Sequence, residues 1–138
     1  MRRRERRLGG MRRAVLAAEI VATYVNVRRL LWRHTLPETV AVLRGDGASA
    51  TDADDASLDL GRHLAWATVR TISVLPSDSR CLMRSLVLMR VLARRGMQAT
   101  FVLSAAPGPQ FEAHAWIEYA GNPLLVPASV EHRDLVRL

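Results

Sequence analysis

The spacing of hydrophobic residues changes once along the chain, at Gly96. Before Gly96, apolar residues recur every three or four positions, which is the period of an α-helix with one buried face. The helices predicted from this period span approximately residues 11–34, 36–44, 57–74 and 80–95. The last one is apolar around most of its circumference, since Leu86 and Met89 share one stripe and Leu88 and Val91 nearly close the circle. It is therefore predicted to be the buried centre of the fold.

After Gly96, apolar and polar residues alternate, which is the pattern of a strand with one buried face. The strands predicted from this pattern span 99–105, 111–119 and 124–126, and 129–138 is expected to be a weak tail with a last helical turn. In the second strand His114 and Trp116 share one face, and Ala115 and Ile117 lie on the other. Helices followed by a strand meander predict an α+β fold, in which N-terminal helices and a central helix pack on a small antiparallel sheet.

Capping residues mark the predicted helix ends. Thr35 is a candidate N-cap for the helix at 36–44, and the run Ser77-Asp78-Ser79 offers three N-cap residues before the helix at 80–95. Pro76 stops the preceding helix, because proline cannot continue it and restricts the residue before it. Gly96 fits the C′ position after the central helix, where a left-handed backbone is common. Both ends of the central helix are thus defined by local sequence.

The length of 138 residues favours a single domain. Residues 1–13 contain seven arginines and are expected to form a basic flexible arm. Residues 14–138 are expected to form the domain, with a helical part at 14–75 and a part at 76–127 that carries the candidate site.

The chain has a formal net charge of +7, and all of its basic residues are arginine. This charge favours nucleic acid, an anionic membrane surface or an acidic partner, but the arginine bias is also typical of a GC-rich genome. Nucleic-acid binding is disfavoured, because the arginines are dispersed after residue 13 and no known binding motif is present. The longest apolar run, 14–27, is interrupted by Glu19, Thr23 and Asn26, so no transmembrane segment is predicted.

Cys81 is the only cysteine, which excludes an intramolecular disulfide and a cysteine-based zinc site and favours a reducing cytoplasm. No metal or cofactor is predicted. Cys81 falls in the first turn of the central helix, where free N–H groups and the helix dipole favour a thiolate and can receive an oxyanion. His114 is the best candidate for a base, because its strand is expected to pack on this helix. The alternative is a small buried hydrophobic cysteine without chemistry.

Residues of definite order and spacing surround both candidates. They are Leu75-Pro76, Cys81-Leu82-x-Arg84-Ser85-Leu86, Leu92-x-Arg94-Arg95-Gly96 and Phe111-x-Ala113-His114-Ala115-Trp116-Ile117-Glu118-x-x-Gly121. Together they resemble the transglutaminase-like leader peptidases of lasso-peptide biosynthesis, the family of the microcin J25 processing protein. The resemblance covers about a third of the chain closely, and the helical N-terminal part is compatible with the family's layout.

The resemblance implies a cysteine protease with a papain-like or transglutaminase-like core, which cuts a ribosomally made precursor peptide between leader and core. Cys81 would attack the scissile carbonyl, and His114 would serve as base and then as acid. The resemblance also implies a small precursor-recognition-element protein as a partner. A separate ATP-dependent lasso cyclase, a further candidate partner, would then form the macrolactam.

The sequence departs from this family at the third catalytic residue, normally an aspartate about a dozen residues after the histidine. The corresponding segment, 124–129, contains no acid. Asn122 is a candidate to orient the imidazole, as asparagine does in papain-like enzymes, although it falls in a predicted turn. Glu131 follows later, and Glu118 shares the strand with His114. Two interpretations stay open: an active Cys-His dyad whose ring is held by a backbone carbonyl, and a catalytically weakened homologue that binds a peptide or a partner.

Overall fold

The computed structural model describes residues 2–44, 55–75, 80–106, 112–124 and 133–137. Within these ranges helices precede strands, which confirms the α+β prediction. The helices are α1 (Arg2–Arg33), α2 (Leu36–Arg44), α3 (Asp55–Ile72) and α4 (Arg80–Ala93). The strands are β1 (Thr100–Ala106), β2 (Glu112–Tyr119), β3 (Asn122–Pro123) and β4 (Arg133–Arg137).

The strands form one antiparallel sheet in the order β3-β2-β1-β4. The helical turn expected within 129–138 is wrong for residues 133–137, because Arg133–Arg137 pairs with β1 as an edge strand. The physical reason is that the outer side of β1 carries backbone N–H and C=O groups, which a further strand pairs. The strand expected at 124–126 is replaced by the two-residue β3, and 125–126 lie outside the described residues.

Helix α4 is the centre of the packing, as its apolar circumference predicted. It contacts α1, α2 and α3 on its helical side and β1 and β2 on its sheet side. Its residues from Leu86 to Met89, together with Val91 and Leu92, are almost completely excluded from solvent. The position of Cys81 is therefore fixed by the most densely packed element of the described structure.

The helix ends follow the capping residues in part. The carboxylate of Glu38 accepts a hydrogen bond from the Thr35 N–H at 2.9 Å, which is one half of a capping box. Gly96 has a φ of 74°, and Met97 N–H donates to Leu92 C=O at 3.0 Å, which closes a Schellman motif after α4. The run at 77–79 proposed to cap the start of α4 lies outside the described residues.

Helix α1 is helical from Arg2 onward, so it includes residues 2–13 of the segment expected to form a basic arm. Arginine is a good helix former, and a nucleated helix extends at little cost, so the backbone continues through Gly9 and Gly10. The burial of α1 residues is described from Gly9 onward. Its buried side includes Ile20, Tyr24 and Val27, which join the core shared with α4.

An ion-pair cluster joins the middle of α1 to the end of α4. Both oxygens of Glu19 accept hydrogen bonds from Arg95 at 3.0 Å, and Arg94 lies 3.5 Å from the same carboxylate. Arg94 also donates to Thr23 Oγ1 at 3.0 Å. The hydrogen bonds from Arg95, with the positive charges of both arginines, lower the pKa of Glu19.

Because its pKa is lowered in the folded state, Glu19 contributes stability that is present above the ordinary glutamate pKa and lost as pH falls through the lowered value. We expect Glu19→Gln to reduce the free energy of unfolding at pH 7 by about 0.5–1 kcal/mol, since these groups are partly solvated. The difference should shrink as pH falls below the ordinary glutamate pKa and vanish once the pH is below the lowered value. Urea titrations of both proteins at several pH values would check this, and a difference that stays constant from pH 7 into the acid range would contradict it.

Candidate active site

Cys81 is a free, half-buried thiol in the first turn of α4. The first turn of an α-helix has N–H groups without intrahelical acceptors, and the helix dipole places partial positive charge there. No acidic residue stands in this first turn, so no carboxylate of the turn opposes a thiolate. A cysteine sulfur at this position lies near backbone N–H groups that can receive an oxyanion.

Two polar groups one turn further along α4 are buried without a hydrogen-bond partner in the described part of the chain. They are Nε of Arg84 and Oγ of Ser85, and Ser85 is fully excluded from solvent. Positions three and four residues apart are neighbours on a helix, so both groups lie on the side of α4 that carries Cys81. Buried polar groups normally have partners. These two unsatisfied donors are therefore candidates to stabilise negative charge that forms near the sulfur.

His114 lies in the middle of the sheet, on β2, where it pairs with Ser104 of β1. It is half-buried. The alternation predicted for this strand is confirmed: Ala115 and Ile117 join the core cluster, and Trp116 lies on the other face. On that face the indole N–H of Trp116 donates to Glu118 at 3.2 Å. Alternation places His114 on the same face as Trp116.

The structure brings the elements of the two candidate residues together, because α4 packs against β2. The packed surface of β2 is the face of Ala115 and Ile117, so His114 belongs to the opposite face. Contact between the sulfur of Cys81 and the imidazole of His114 does not follow from this packing, so their pairing is a proposal.

Ser104 is a polar residue of this region that the sequence analysis missed. It pairs with His114 of β2 on one side and with Asp134 of β4 on the other, so the three positions form one row across the sheet. Its Oγ is fully buried and has no hydrogen-bond partner among the described residues. Directly paired side chains lie on the same face, with Cβ atoms about 5 Å apart. The alternation in 99–105 could have identified this serine. Its pairing with β4 could not be predicted from the sequence.

The structure does not bring Asn122 to His114. Asn122 pairs with Tyr119, five residues along β2 from His114, a separation of about 16 Å at the rise of a β-strand. Its side-chain amide donates to the Ala120 carbonyl at 3.2 Å, which is a local turn interaction. Glu131 lies outside the described residues. The carboxylate of Glu118 accepts a hydrogen bond from the indole N–H of Trp116.

Other kinds of site find no support in the described ranges. No three His, Cys, Asp or Glu side chains within them are arranged to hold a metal ion. None of the described helices is both long enough and apolar enough to cross a bilayer. The chemistry offered by the described residues is therefore that of a thiol at a helix start with polar groups around it.

A cysteine in the first turn of a central helix that packs on an antiparallel sheet is an arrangement found in transglutaminase-like thiol proteins. The family model of the Transglutaminase-like superfamily matches residues 21–135. The chain belongs to this superfamily, whose members typically carry cysteine hydrolase or acyl-transfer chemistry. No curated protein and no solved structure matches the chain.

Proposed function

We propose that the chain is a cysteine peptidase that removes the leader from a ribosomally made lasso precursor peptide. The observation that carries this proposal is the free thiol of Cys81 in the first turn of the central helix of a transglutaminase-like chain. The motifs around Cys81 and His114, and their resemblance to leader peptidases of this type, support the choice of substrate.

In the proposed reaction His114 takes the thiol proton, and the sulfur of Cys81 attacks the carbonyl carbon at the leader–core junction. The free N–H groups at the start of α4 receive the oxyanion, with Arg84 and Ser85 beside them. The C–N bond then breaks, and His114 returns the proton to the amine of the departing core peptide. Water, activated by His114, hydrolyses the thioester and releases the leader as a carboxylate.

The proposal assigns the orientation of the imidazole to Ser104 rather than to an acidic residue after the histidine. A hydroxyl both donates and accepts a hydrogen bond, so it can hold either tautomer of the ring. Its pairing with His114 supports this role. Its buried Oγ makes no hydrogen bond in the described structure, so the proposal requires the hydroxyl to turn toward the ring. Asp134 occupies the next position in the same row of the sheet.

The proposal includes two further proteins. A small precursor-recognition-element protein presents the leader to the peptidase. A separate ATP-dependent cyclase uses the freed amine of the core to close the macrolactam.

Alkylation tests the activated thiol directly, because Cys81 is the only cysteine and iodoacetamide will find no other thiol. We expect rapid alkylation at pH 7 and a several-fold slower rate in His114→Ala, since the base that removes the thiol proton is gone. His63→Ala is the matched control, because His63 is exposed on α3 and stacks only on Trp66 among the described rings. Equal rates in all three proteins would overturn the proposed pairing.

A second candidate function is a catalytically weakened homologue that binds a peptide or a partner protein. The position of Asn122, far along β2 from His114, favours it, because the asparagine expected to orient the ring does not lie beside the histidine. A weakened homologue should show slow alkylation of Cys81 at a rate that His114→Ala does not change. The same experiment therefore distinguishes the two candidate functions.

A further inference from the structure

Helix α1 has two apolar faces on opposite sides. The inner face contains Ile20 and Val27, which are fully buried in the core. The outer face carries a row of exposed apolar residues, here called the outer stripe: Met11, Val15, Ala18, Ala22, Val25 and Trp32. Exposed fractions in this row reach 62% for Met11 and 87% for Trp32. A solvated helix face normally carries polar residues, so this second apolar face calls for a partner.

The outer stripe has the spacing of a helix–helix seam. Its members follow one another at alternating intervals of four and three residues. Between Val25 and Trp32 the position required by this pattern is occupied by Arg29, which is not apolar. This is the heptad pattern of coiled coils, in which alternate apolar positions insert between residues of a facing helix. The row from Met11 to Trp32 is about 32 Å long at the rise of an α-helix.

Two hollows lie along the stripe, one at each end. The first has a volume of about 200 Å³ and is lined by Met11, Val15 and Glu19 of α1 and by Arg95 after α4, among others. The second has a volume of about 280 Å³ and is lined by Tyr24, Val25, Arg28, Arg29 and Trp32. Between them stand Ala18 and Ala22, whose small side chains let another helix backbone approach closely. The surface thus offers two side-chain hollows with a shallow middle.

The charges beside the stripe are positive. Residues 9–34 contain five arginines and a single acid, Glu19, which Arg94 and Arg95 already neutralise. A second copy of α1 would set arginine against arginine, so charge disfavours self-association. A membrane-binding helix presents a broad face of large apolar residues, whereas the middle of this stripe is narrow and lined by alanine. Charge and shape together fit an acidic helix.

We propose that the outer stripe of α1 is a docking surface for an acidic amphipathic helix of a partner protein. Apolar side chains of that helix would fill the two hollows, and its flanking carboxylates would pair with Arg12, Arg28 and Arg33. This inference goes beyond the proposed peptidase reaction and does not depend on the chemistry of Cys81.

A synthetic probe tests the surface without knowledge of the natural partner. The probe is a fluorescently labelled 22-residue peptide, about the length of the stripe, with leucine at the heptad seam positions and glutamate beside them. The comparison peptide carries lysine in place of glutamate. Binding to the full chain is followed by fluorescence anisotropy at low and high salt. We expect the glutamate peptide to bind, the lysine peptide not to bind, and salt to weaken the complex.

Substitutions in the chain test whether the peptide binds at the outer stripe. Val25→Asp should raise the Kd by about tenfold or more, because it puts a carboxylate in the centre of an apolar contact. Val42→Asp is the matched control, since Val42 is similarly exposed on α2, and it should leave the Kd unchanged. Equal effects of both variants, or equal binding of both peptides, would overturn the proposal. So would binding to anionic phospholipid vesicles without peptide binding, or a dimer in light scattering that Val25→Asp dissociates.

Discussion

Cys81→Ala should abolish cleavage of a leader-bearing precursor peptide in the presence of its recognition protein, with a loss of about 10⁴-fold or more. The loss is this large because the proposed acyl-enzyme needs the sulfur, and no other cysteine exists in the chain to replace it. Mass spectrometry of the reaction, which resolves the leader and core fragments, is the measurement. Cleavage that survives the substitution would refute the mechanism.

A graded series around Cys81 distinguishes the roles of its neighbours. His114→Ala should cost about 10²–10⁴-fold, the usual contribution of a general base. Ser104→Ala should cost less than His114→Ala, because it removes only the group proposed to orient the ring, and Ser104→Thr should restore activity by keeping the hydroxyl. Ser85→Ala removes a hydroxyl proposed to lie beside the oxyanion, so it should also lower the activity. Loss in Ser104→Ala without rescue by threonine would indicate a packing role alone.

Local sequence was sufficient for the elements that form the site. The central helix was predicted because its apolar residues nearly surround it, and its end was predicted because Gly96 is the residue that tolerates a left-handed backbone. The face of β2 that carries His114 followed from simple alternation, and the structure bears this out. These features depend on contacts within a few residues, which a single sequence displays.

Features that depend on distant pairing could not be predicted. The segment Arg133–Arg137 is short and half charged, so no periodicity marked it as a strand, and only the free side of β1 makes it one. The role of Ser104 follows from its position between β2 and β4, which sequence spacing does not reveal. The expected orienting residues, Asn122, Glu118 and Glu131, all follow the histidine in the chain, whereas the sheet places Ser104 beside it from the preceding strand.

Phe101→Ala should destabilise the fold more than any surface change discussed above. Phe101 is fully buried in β1, pairs with Ile117 and belongs to the core shared with α4. Removing a buried aromatic ring loses its transfer free energy and leaves a cavity, which costs about 3–5 kcal/mol. That is a large fraction of the roughly 5–15 kcal/mol that stabilises a typical domain. The sheet that carries His114 would lose one of its core contacts at the same time.

Equilibrium unfolding in urea measures this effect, and Trp32→Ala is the control. The Trp32→Ala substitution also removes a large aromatic side chain, but this side chain is 87% exposed on the outer stripe of α1. The free energy of unfolding of the Trp32→Ala protein should therefore change by about 0.5 kcal/mol or less. A Trp32→Ala protein that is as stable as the unchanged protein, and in which Cys81 is alkylated at the same rate, would show that the outer stripe does not contribute to the core. Similar losses in both variants would mean that α1 uses its outer face within its own fold, and the assignment of that face to a partner would then fail together with this prediction.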